Sequence, residues 1–225
     1  MRCIKLIEQR RISMSKNIIY IIGDGFCSLN QLENVFTVSQ IIKILNAEES
    51  FKTHLAVCVI GQGVSKKERE QLESYSRQNK LGLIINAHQI PTSSELTHKH
   101  KCQNIMITEP LTVIPGKKYC AYLSTDDACA EMSDHLTGHH IQGMVLTEAA
   151  RQMMLAVAEK YMLDSAEKGN SYCILTEISS SFLQFAFPVE IKIEHEILEF
   201  NQLKSNGYEA KTRTIFIQNS TVIGA

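Results

Sequence analysis

A nearly continuous apolar stretch over residues 141–163 limits the folds open to this chain. Its charged and amide side chains include Glu148, Arg151, Gln152, Glu159 and Lys160. That many polar groups do not fit a membrane span, so the stretch predicts a helix that is buried on nearly all sides. The rest of the chain must then supply a surface that encloses this helix.

Strand-like segments flank the predicted helix. Residues 189–200 and 209–218 alternate apolar and polar side chains with a period of two, and Asn206-Gly207 between them is a hairpin signal. Further strand-like runs cover residues 104–113, 118–123 and, as two runs, 172–187. A single apolar helix among antiparallel strands requires the sheet to curl over the helix. We therefore predict an α+β fold for residues 104–225, with an antiparallel sheet wrapped on one long central helix.

The first part of the chain has a different pattern. Apolar, β-rich runs at 17–23, 54–60 and 81–86 alternate with helical patterns at 32–45 and 65–79, the latter opening on Ser65 as N-cap. This β-α-β-α-β order predicts a small α/β domain with a three-stranded parallel sheet over residues 14–90. Residues 91–103 are polar and predict a linker, and residues 1–13 are expected to be a loosely ordered leader.

Composition excludes some classes of function. The formal net charge is −1 and Trp is absent, so neither a basic face nor a base-stacking platform for nucleic acid is expected. The seven cysteines include no CxxC pair, which favours reduced thiols and a cytoplasmic protein. Gly23-Asp24-Gly25 follows the first predicted strand, but Ser28 stands where a dinucleotide fingerprint has its third glycine, so a plain strand-to-helix turn is favoured over nucleotide binding.

The polar residues of the central helix are candidates for chemistry. Glu148, Arg151 and Gln152 stand at i, i+3 and i+4 and so share one helix face. Glu148 is a candidate general base or orienter of substrate, with a pKa that burial would raise. Arg151 would bind an anion or hold Glu148 in place, and the alternative for both residues is a purely structural ion pair.

The helix start supplies further candidates. Gly143 allows close backbone approach, and the free N–H groups of the first turn could form an anion or oxyanion site, or be met by a water or a side-chain cap. His135, His139 and His140 precede the helix, where a neutral imidazole could act as acid or base, or be no more than a surface or capping residue. The same histidines with Asp134 could hold a metal, but no further ligand pair is placed by the sequence, so neither a metal nor a cofactor is expected.

The run from His139 to Gln152, HHIQGMVLTEAARQ, closely resembles the motif of the A-factor biosynthesis (AfsA-type) hotdog family. That motif is a histidine, a short spacer, Gly-Met, and an apolar run into Glu-Ala-x-Arg-Gln. The resemblance implies a hotdog fold and transfer of a β-ketoacyl group from acyl carrier protein (ACP) to a three-carbon phosphate acceptor, an early step towards γ-butyrolactone or butenolide signals. It also implies a homodimer, with the active site between a histidine loop and a helix glutamate.

Carried onto this chain, the resemblance makes Glu148 and His140 catalytic candidates. His135, which lies nearest the histidine of the dehydratase motif described below, is the third. The candidates for substrate binding are Gly143, Met144, Arg151, Gln152 and His139. AfsA-type proteins often carry two hotdog copies, whereas this chain has one copy with the α/β unit in the place of the other. The exact reaction, and the choice between ACP and coenzyme A as acyl donor, therefore stay open.

A more distant resemblance is to β-hydroxyacyl-ACP dehydratases, whose motif is His-x-Pro-Gly followed by Pro-Gly and a helix glutamate. Here His135-Leu136-Thr137-Gly138 lacks the first proline, Gln142-Gly143 lacks the second, and the spacing is one residue short. A dehydratase or thioesterase acting on acyl-ACP or acyl-CoA is therefore the alternative chemistry. A non-catalytic acyl-binding or regulatory module is the third interpretation.

Overall fold

A computed structural model describes residues 18–46, 57–78, 81–84, 90–133, 138–164, 167–169, 171–203 and 207–225. The predicted leader at 1–13, and Asp134 and His135 of the histidine cluster, lie outside these residues. The described residues form a four-stranded parallel sheet and a five-stranded antiparallel sheet. None of the helices among them is long and apolar enough to cross a membrane.

The parallel sheet is built by the N-terminal part of the chain. Its strands are β1 (Ile18–Ile22), β2 (Val35–Thr37), β3 (Val57–Ile60) and β4 (Leu83–Ile84), in the spatial order β2-β1-β3-β4. A 3₁₀ segment, Asp24–Gln31, joins β1 to β2, and helices α1 (Val38–Asn46) and α2 (Lys66–Arg77) form the next two crossovers. Ser65 caps α2 in a reciprocal capping box with Glu68, as its position in the sequence indicates.

The helix predicted over residues 32–45 is partly wrong, because its first part is strand β2. Asn34 adopts a left-handed φ of 68°, which turns the chain, and its carbonyl accepts a hydrogen bond from Tyr20 N at 2.8 Å. Val35–Thr37 then pairs in parallel with β1, and α1 begins only at Val38. The sheet therefore has four strands where three were predicted, in the order β1-β2-α1-β3-α2-β4.

The two faces of the parallel sheet pack on different partners. Ile19 and Ile21 of β1 lie in one hydrophobic cluster with residues of α1 and α2. Ile22 and Val35 belong to a second cluster, which contains the core of the antiparallel sheet. Since these two parts share a core, the antiparallel part covers the parallel-sheet face that lacks helices. A separate domain over residues 14–90 stays a prediction.

The antiparallel sheet and its helix follow the predicted pattern. The strands are β5 (Leu111–Ile114), β6 (Lys118–Tyr122), β7 (Lys192–Gln202), β8 (Tyr208–Gln218) and β9 (Thr221–Gly224), paired in chain order. Helix α4 (Gly143–Val157), extended by a π-helical turn at Ala158–Met162, packs through apolar side chains against this sheet in one core. The predicted arrangement of one central helix against antiparallel strands is confirmed.

Residues 172–187 differ from the two strands predicted for them. The segment is extended, but it forms only isolated bridges, Phe182 with Gly224 and Ala186 with Ile141. Ser181 and Leu183 donate backbone hydrogen bonds to Ala225 and Ile223 at the β9 edge, while no described strand pairs with the opposite edge. A β-ladder needs consecutive hydrogen-bonded partners. This segment has only isolated ones, so it does not form a regular strand.

The polar segment 91–103, predicted as a linker, is folded against α4. Ser93 caps a short helix, α3 (Ser94–Thr97), and Thr97 is fully buried. His98 Nε2 lies 2.8 Å from Oε1 of Glu159, a buried carboxylate in the π-helical turn. Because buried carboxylates need hydrogen-bonding partners, this segment contributes to the packing and does not merely connect two units.

Candidate functional site

Glu148 and Arg151 form a bidentate ion pair on α4. Arg151 donates from Nε to Glu148 Oε2 at 2.8 Å and from Nη2 to Oε1 at 2.7 Å. Their i, i+3 spacing places both side chains on one helix face, as the sequence predicts. The fork geometry fixes the plane of the guanidinium as well as its position, so Arg151 is held in one orientation.

The side-chain amide of Gln152 forms hydrogen bonds within the protein. It is fully buried (0% exposed), and its Oε1 accepts a hydrogen bond from Met106 N at 2.9 Å. Its Nε2 donates to Asn104 O at 2.8 Å and to Glu148 Oε1 at 3.0 Å. Its amide thus ties α4 to the chain before β5 and orients Glu148, and substrate binding by Gln152 stays a prediction.

Lys99 is a member of the site that the sequence did not point to. Its Nζ lies 2.7 Å from Glu148 Oε1 and 3.6 Å from Glu131 Oε1, with 18% of the side chain exposed. The His98-Lys99-His100 segment has the composition of a solvated linker, yet the Ser93 N-cap before it was a readable helix start. Short helix α3 is what brings Lys99 to α4.

These contacts reverse the predicted pKa shift of Glu148. Burial alone would raise the pKa of Glu148, but hydrogen bonds from Arg151, Lys99 and Gln152 outweigh it and lower the pKa to about 2. The carboxylate is thus ionised at neutral pH and is a weak base. In turn, the hydrogen bond to Glu148 raises the pKa of Arg151, which keeps its positive charge. This arrangement fits the orienting role of Glu148 better than the general-base role.

Arg151 also borders a cleft of about 540 Å³ between α4, the extended segment at 174–182 and the outer part of the β7–β8 hairpin. Thr147, Ala150, Arg151 and Met154 present one stripe of α4 to this cleft. Leu146, Ile178, Phe182 and Phe216 form an apolar patch of the wall, and polar side chains that include Glu209 and Lys211 line the rest. A cleft that sets an apolar patch beside a cation in a fixed position suits a ligand that has an apolar chain and an anionic group.

The start of α4 is covered by aromatic rings. Phe182 lies so close to Gly143 that a Cβ there would stand 2.7 Å from its ring carbons. The close approach predicted for Gly143 is therefore made by this ring in the single chain. Gln142 at the N-cap gives no side-chain hydrogen bond to the first turn, and Met144 is 65% exposed. Any ligand at this helix start would meet Phe182 first.

The histidines lie beside the same helix start. The His140 ring packs edge-on against Phe185 with 4.9 Å between ring centroids, and Ile141 N donates to Ala186 O at 2.7 Å. His139 is exposed to solvent. His139 and His140 thus lie at the N-terminal end of α4. Glu148 lies further along the helix, in contact with Lys99 and Arg151.

Among the residues that the structure describes, no group of three or more His, Cys, Asp or Glu side chains is arranged to hold a metal. One further histidine, His195 on β7, is buried, and its Nδ1 lies 2.8 Å from Thr214 Oγ1. Burial lowers the pKa of His195 to about 4, so this imidazole is neutral at physiological pH. Its contacts are those of a core residue.

Comparison with protein families identifies the domain that contains α4. The model of the AfsA family, described as the A-factor biosynthesis hotdog domain, matches residues 86–225. A search of curated proteins returned no match. One similar solved structure is that of conserved protein PA5202 from Pseudomonas aeruginosa; it is 13% identical, with a TM-score of 0.38, and the match covers 63% of this chain and 93% of that one. The family match spans more than half of the sequence and includes α4 with all of its polar residues, so the chain belongs to the AfsA family of A-factor biosynthesis hotdog domains.

Proposed function

We propose that this protein is an acyl-thioester enzyme that transfers a β-ketoacyl group from ACP or coenzyme A to a small acceptor, in the synthesis of a signal molecule or another secondary metabolite. The observation that carries the proposal is Arg151, fixed by Glu148 and bordering the cleft beside α4. The apolar patch of the cleft wall suits an acyl chain, and the guanidinium suits a phosphate on the acceptor or on the carrier arm.

In the proposed reaction, a hydroxyl oxygen of the acceptor bonds to the thioester carbonyl carbon, and the carbon–sulfur bond then breaks. His140 takes the hydroxyl proton and returns it to the departing thiolate, so the products are an ester and a thiol. The N–H groups at the start of α4 stabilise the oxyanion that forms in between. Rotation of Phe182 away from Gly143 would open this helix start to the carbonyl.

Glu148 acts through Arg151 in this proposal. With a pKa of about 2 it does not move a proton at neutral pH. Its charge holds the guanidinium of Arg151 and the ammonium of Lys99 in one place, so the anionic substrate meets a preorganised positive site. Glu148 is thus a positioning residue, and His140 is the proposed acid–base group.

We also propose that the working form is a homodimer joined through the extended segment at 172–185. This segment exposes many large apolar side chains, including Ile174 at 83% and Leu183 at 62%. One edge pairs with β9, and no described strand pairs with the other. A second copy added there would complete the hydrogen bonds and cover the apolar side chains, as exposed edges of this kind require. It would also close the cleft that Arg151 borders.

The test is to incubate the purified protein with β-ketoacyl-ACP, or the matching acyl-CoA, and dihydroxyacetone phosphate, and to identify products by mass spectrometry. The proposal expects an acylated acceptor whose mass is that of the acceptor plus the β-keto acid, less one water. Free acid that forms without the acceptor would instead identify a thioesterase, and an enoyl thioester formed from a hydroxyacyl substrate would identify a dehydratase. Tight acyl binding without turnover would identify a non-catalytic module.

A further inference from the structure

Two turns meet at the carboxyl edge of the parallel sheet. Gly23 and Gly25 follow β1, and Gly63 follows the neighbouring parallel strand β3. In open parallel sheets this edge is where ligands bind, in the crevice between strands whose connections run in opposite directions. The order β2-β1-β3-β4 places that reversal between β1 and β3. We call these three glycines the glycine cradle.

The cradle is filled by the protein's own Asp127, from the segment between β6 and α4. Gly25 N donates a hydrogen bond to Asp127 Oδ2 at 2.8 Å. A Cβ on Gly23 would stand 2.4 Å from Oδ2, and one on Gly63 would stand 2.2 Å from Oδ1. Only glycines leave room for the carboxylate here, so the fit depends on the parallel-sheet turns as well as on the segment between β6 and α4.

Neighbouring contacts bind the same segment to the parallel sheet. Gly63 N donates to Thr125 O at 3.0 Å. Gln62 is buried; its Nε2 donates to Leu123 O at 2.9 Å, and its Oε1 accepts from Thr125 N at 2.8 Å. The chain leaving β6 is thus held over residues 123–127 by the turn that follows β3.

The far end of the same segment also reaches the cradle. Gly138 has a left-handed φ of +57°, and a Cβ on it would stand 3.0 Å from both Gly25 O and Ser28 Oγ. His139 and His140 follow directly in the chain. Gly25 therefore contacts the segment twice, through its N–H at Asp127 and through its carbonyl beside Gly138.

We propose that the glycine cradle is a positioning platform for the histidines of the hotdog site, with Asp127 and Gly138 as the positioning residues that dock on Gly25. The N-terminal part of the chain then belongs to the active site, because it sets where His139 and His140 stand relative to the start of α4. The catalytic consequence rests on the function proposed above, while the docking itself does not.

The charges around Asp127 make this docking sensitive to the protonation state of its carboxyl group. Burial is the main cause that raises the pKa of Asp127, and the nearby carboxylates Glu68, Asp24 and Asp126 raise it further. The hydrogen bond from Gly25 opposes this shift, and the pKa is raised to about 6. Oδ1 accepts no hydrogen bond from the residues that the structure describes. The side chain is held there in spite of its acidic surroundings, which is expected of a contact that positions something else.

The test compares the full chain with Gly138→Ala, Gly116→Ala, Asp127→Ala and Asp127→Asn. Gly116 is the matched control, because its φ of +69° imposes the same backbone strain while nothing lies within 4 Å of its Cβ position. The readout is the set of imidazole C–H NMR signals, assigned with His139→Gln and His140→Gln. These signals should move in Gly138→Ala and Asp127→Ala, stay in place in Gly116→Ala, and return in Asp127→Asn, whose amide oxygen still accepts from Gly25 N.

Imidazole signals that are unchanged in both Gly138→Ala and Asp127→Ala would overturn the proposal, as would equal changes in Gly138→Ala and Gly116→Ala. If either Gly138→Ala or Asp127→Ala does not fold, the spectrum of the other variant still tests the proposal. Where acyl transfer is measurable, Gly138→Ala should lower kcat about tenfold and leave KM within about twofold. The NMR comparison needs no turnover. An inactive wild-type protein would therefore count against the proposed function, while the NMR spectra would still test whether the cradle positions the histidines.

Discussion

Lys99 Nζ lies 2.7 Å from Oε1 of Glu148, so the second residue after α3 shares one charge cluster with α4. Arg151 and Gln152 complete the hydrogen bonds of the same carboxylate. Three donors around one partly buried carboxylate explain why Glu148 stays ionised inside an otherwise apolar helix. The cluster connects segment 91–103 to the family motif.

Glu148→Gln should remove an acid-sensitive part of the stability. The folded-state pKa of Glu148 is about 2, below its ordinary value of 4.5, so its contribution is present above the unfolded-state pKa and is lost as the pH falls from about 4.5 towards 2. After allowance for solvent screening we expect a loss of about 1–2 kcal/mol at neutral pH. Urea unfolding over this pH range measures it, with the exposed Glu95→Gln as control. Parallel pH profiles for Glu148→Gln and the wild type would contradict the lowered pKa.

Lys99→Met should weaken the same cluster from its other side. Removing the ammonium deletes one hydrogen bond to Glu148 and leaves Arg151 and Gln152, so we expect a loss of about 1 kcal/mol in the free energy of unfolding and a pKa of Glu148 closer to its ordinary value. Lys101→Met, at an exposed position two residues further on, is the control. Equal stabilities for the two variants would place Lys99 outside the cluster in solution.

Asp127→Asn should change stability in the opposite pH direction. The folded-state pKa of Asp127 is raised to about 6, so its favourable contribution is present below the unfolded-state value of 3.8 and is lost as the pH rises through about 6. The wild type should therefore lose of the order of 1 kcal/mol between about pH 4 and pH 7 relative to Asp127→Asn. Thermal unfolding against pH measures this, with Glu33→Gln at an exposed position as the control. A wild type that gains stability relative to Asp127→Asn over that range would refute it.

Leu183→Asp should separate the proposed dimer into monomers. A carboxylate at position 183 of the exposed segment 172–185 would be buried without a partner on association, at a cost of several kcal/mol. Light scattering after size exclusion gives the molar mass. Val113→Asp is the control, because Val113 is similarly exposed on β5, at the opposite end of the antiparallel sheet. Dissociation by Val113→Asp and not by Leu183→Asp would move the interface to the β5 edge.

The central helix and its polar face could be predicted because their signals are local. The length and apolar character of residues 141–163 fix a buried helix, and the spacing of Glu148 and Arg151 puts the two side chains side by side. Strands β7 and β8 were also readable, because alternation with a period of two is a property of each strand alone.

The parts that the sequence did not reveal depend on distant contacts. The direction of the Glu148 pKa shift is set by Lys99, which approaches from α3, and burial by itself gave the wrong sign. Val35–Thr37 joins β1 because Asn34 turns the chain, although the surrounding residues have helical periodicity. The sequence around Asp127 contains no signal that its side chain contacts three glycines of the parallel sheet.

Acyl transfer by Arg151→Ala tests the central claim most directly. With β-ketoacyl-ACP and dihydroxyacetone phosphate, the wild type should form the acylated acceptor, and Arg151→Ala should lose about a hundredfold or more in kcat/KM, since a charged hydrogen-bonding partner of the substrate is removed. Arg213→Ala, which breaks a cross-strand ion pair with Glu196 away from the cleft, should retain wild-type activity. Equal activity of Arg151→Ala and Arg213→Ala, or no acylated acceptor from folded wild-type protein, would contradict the account.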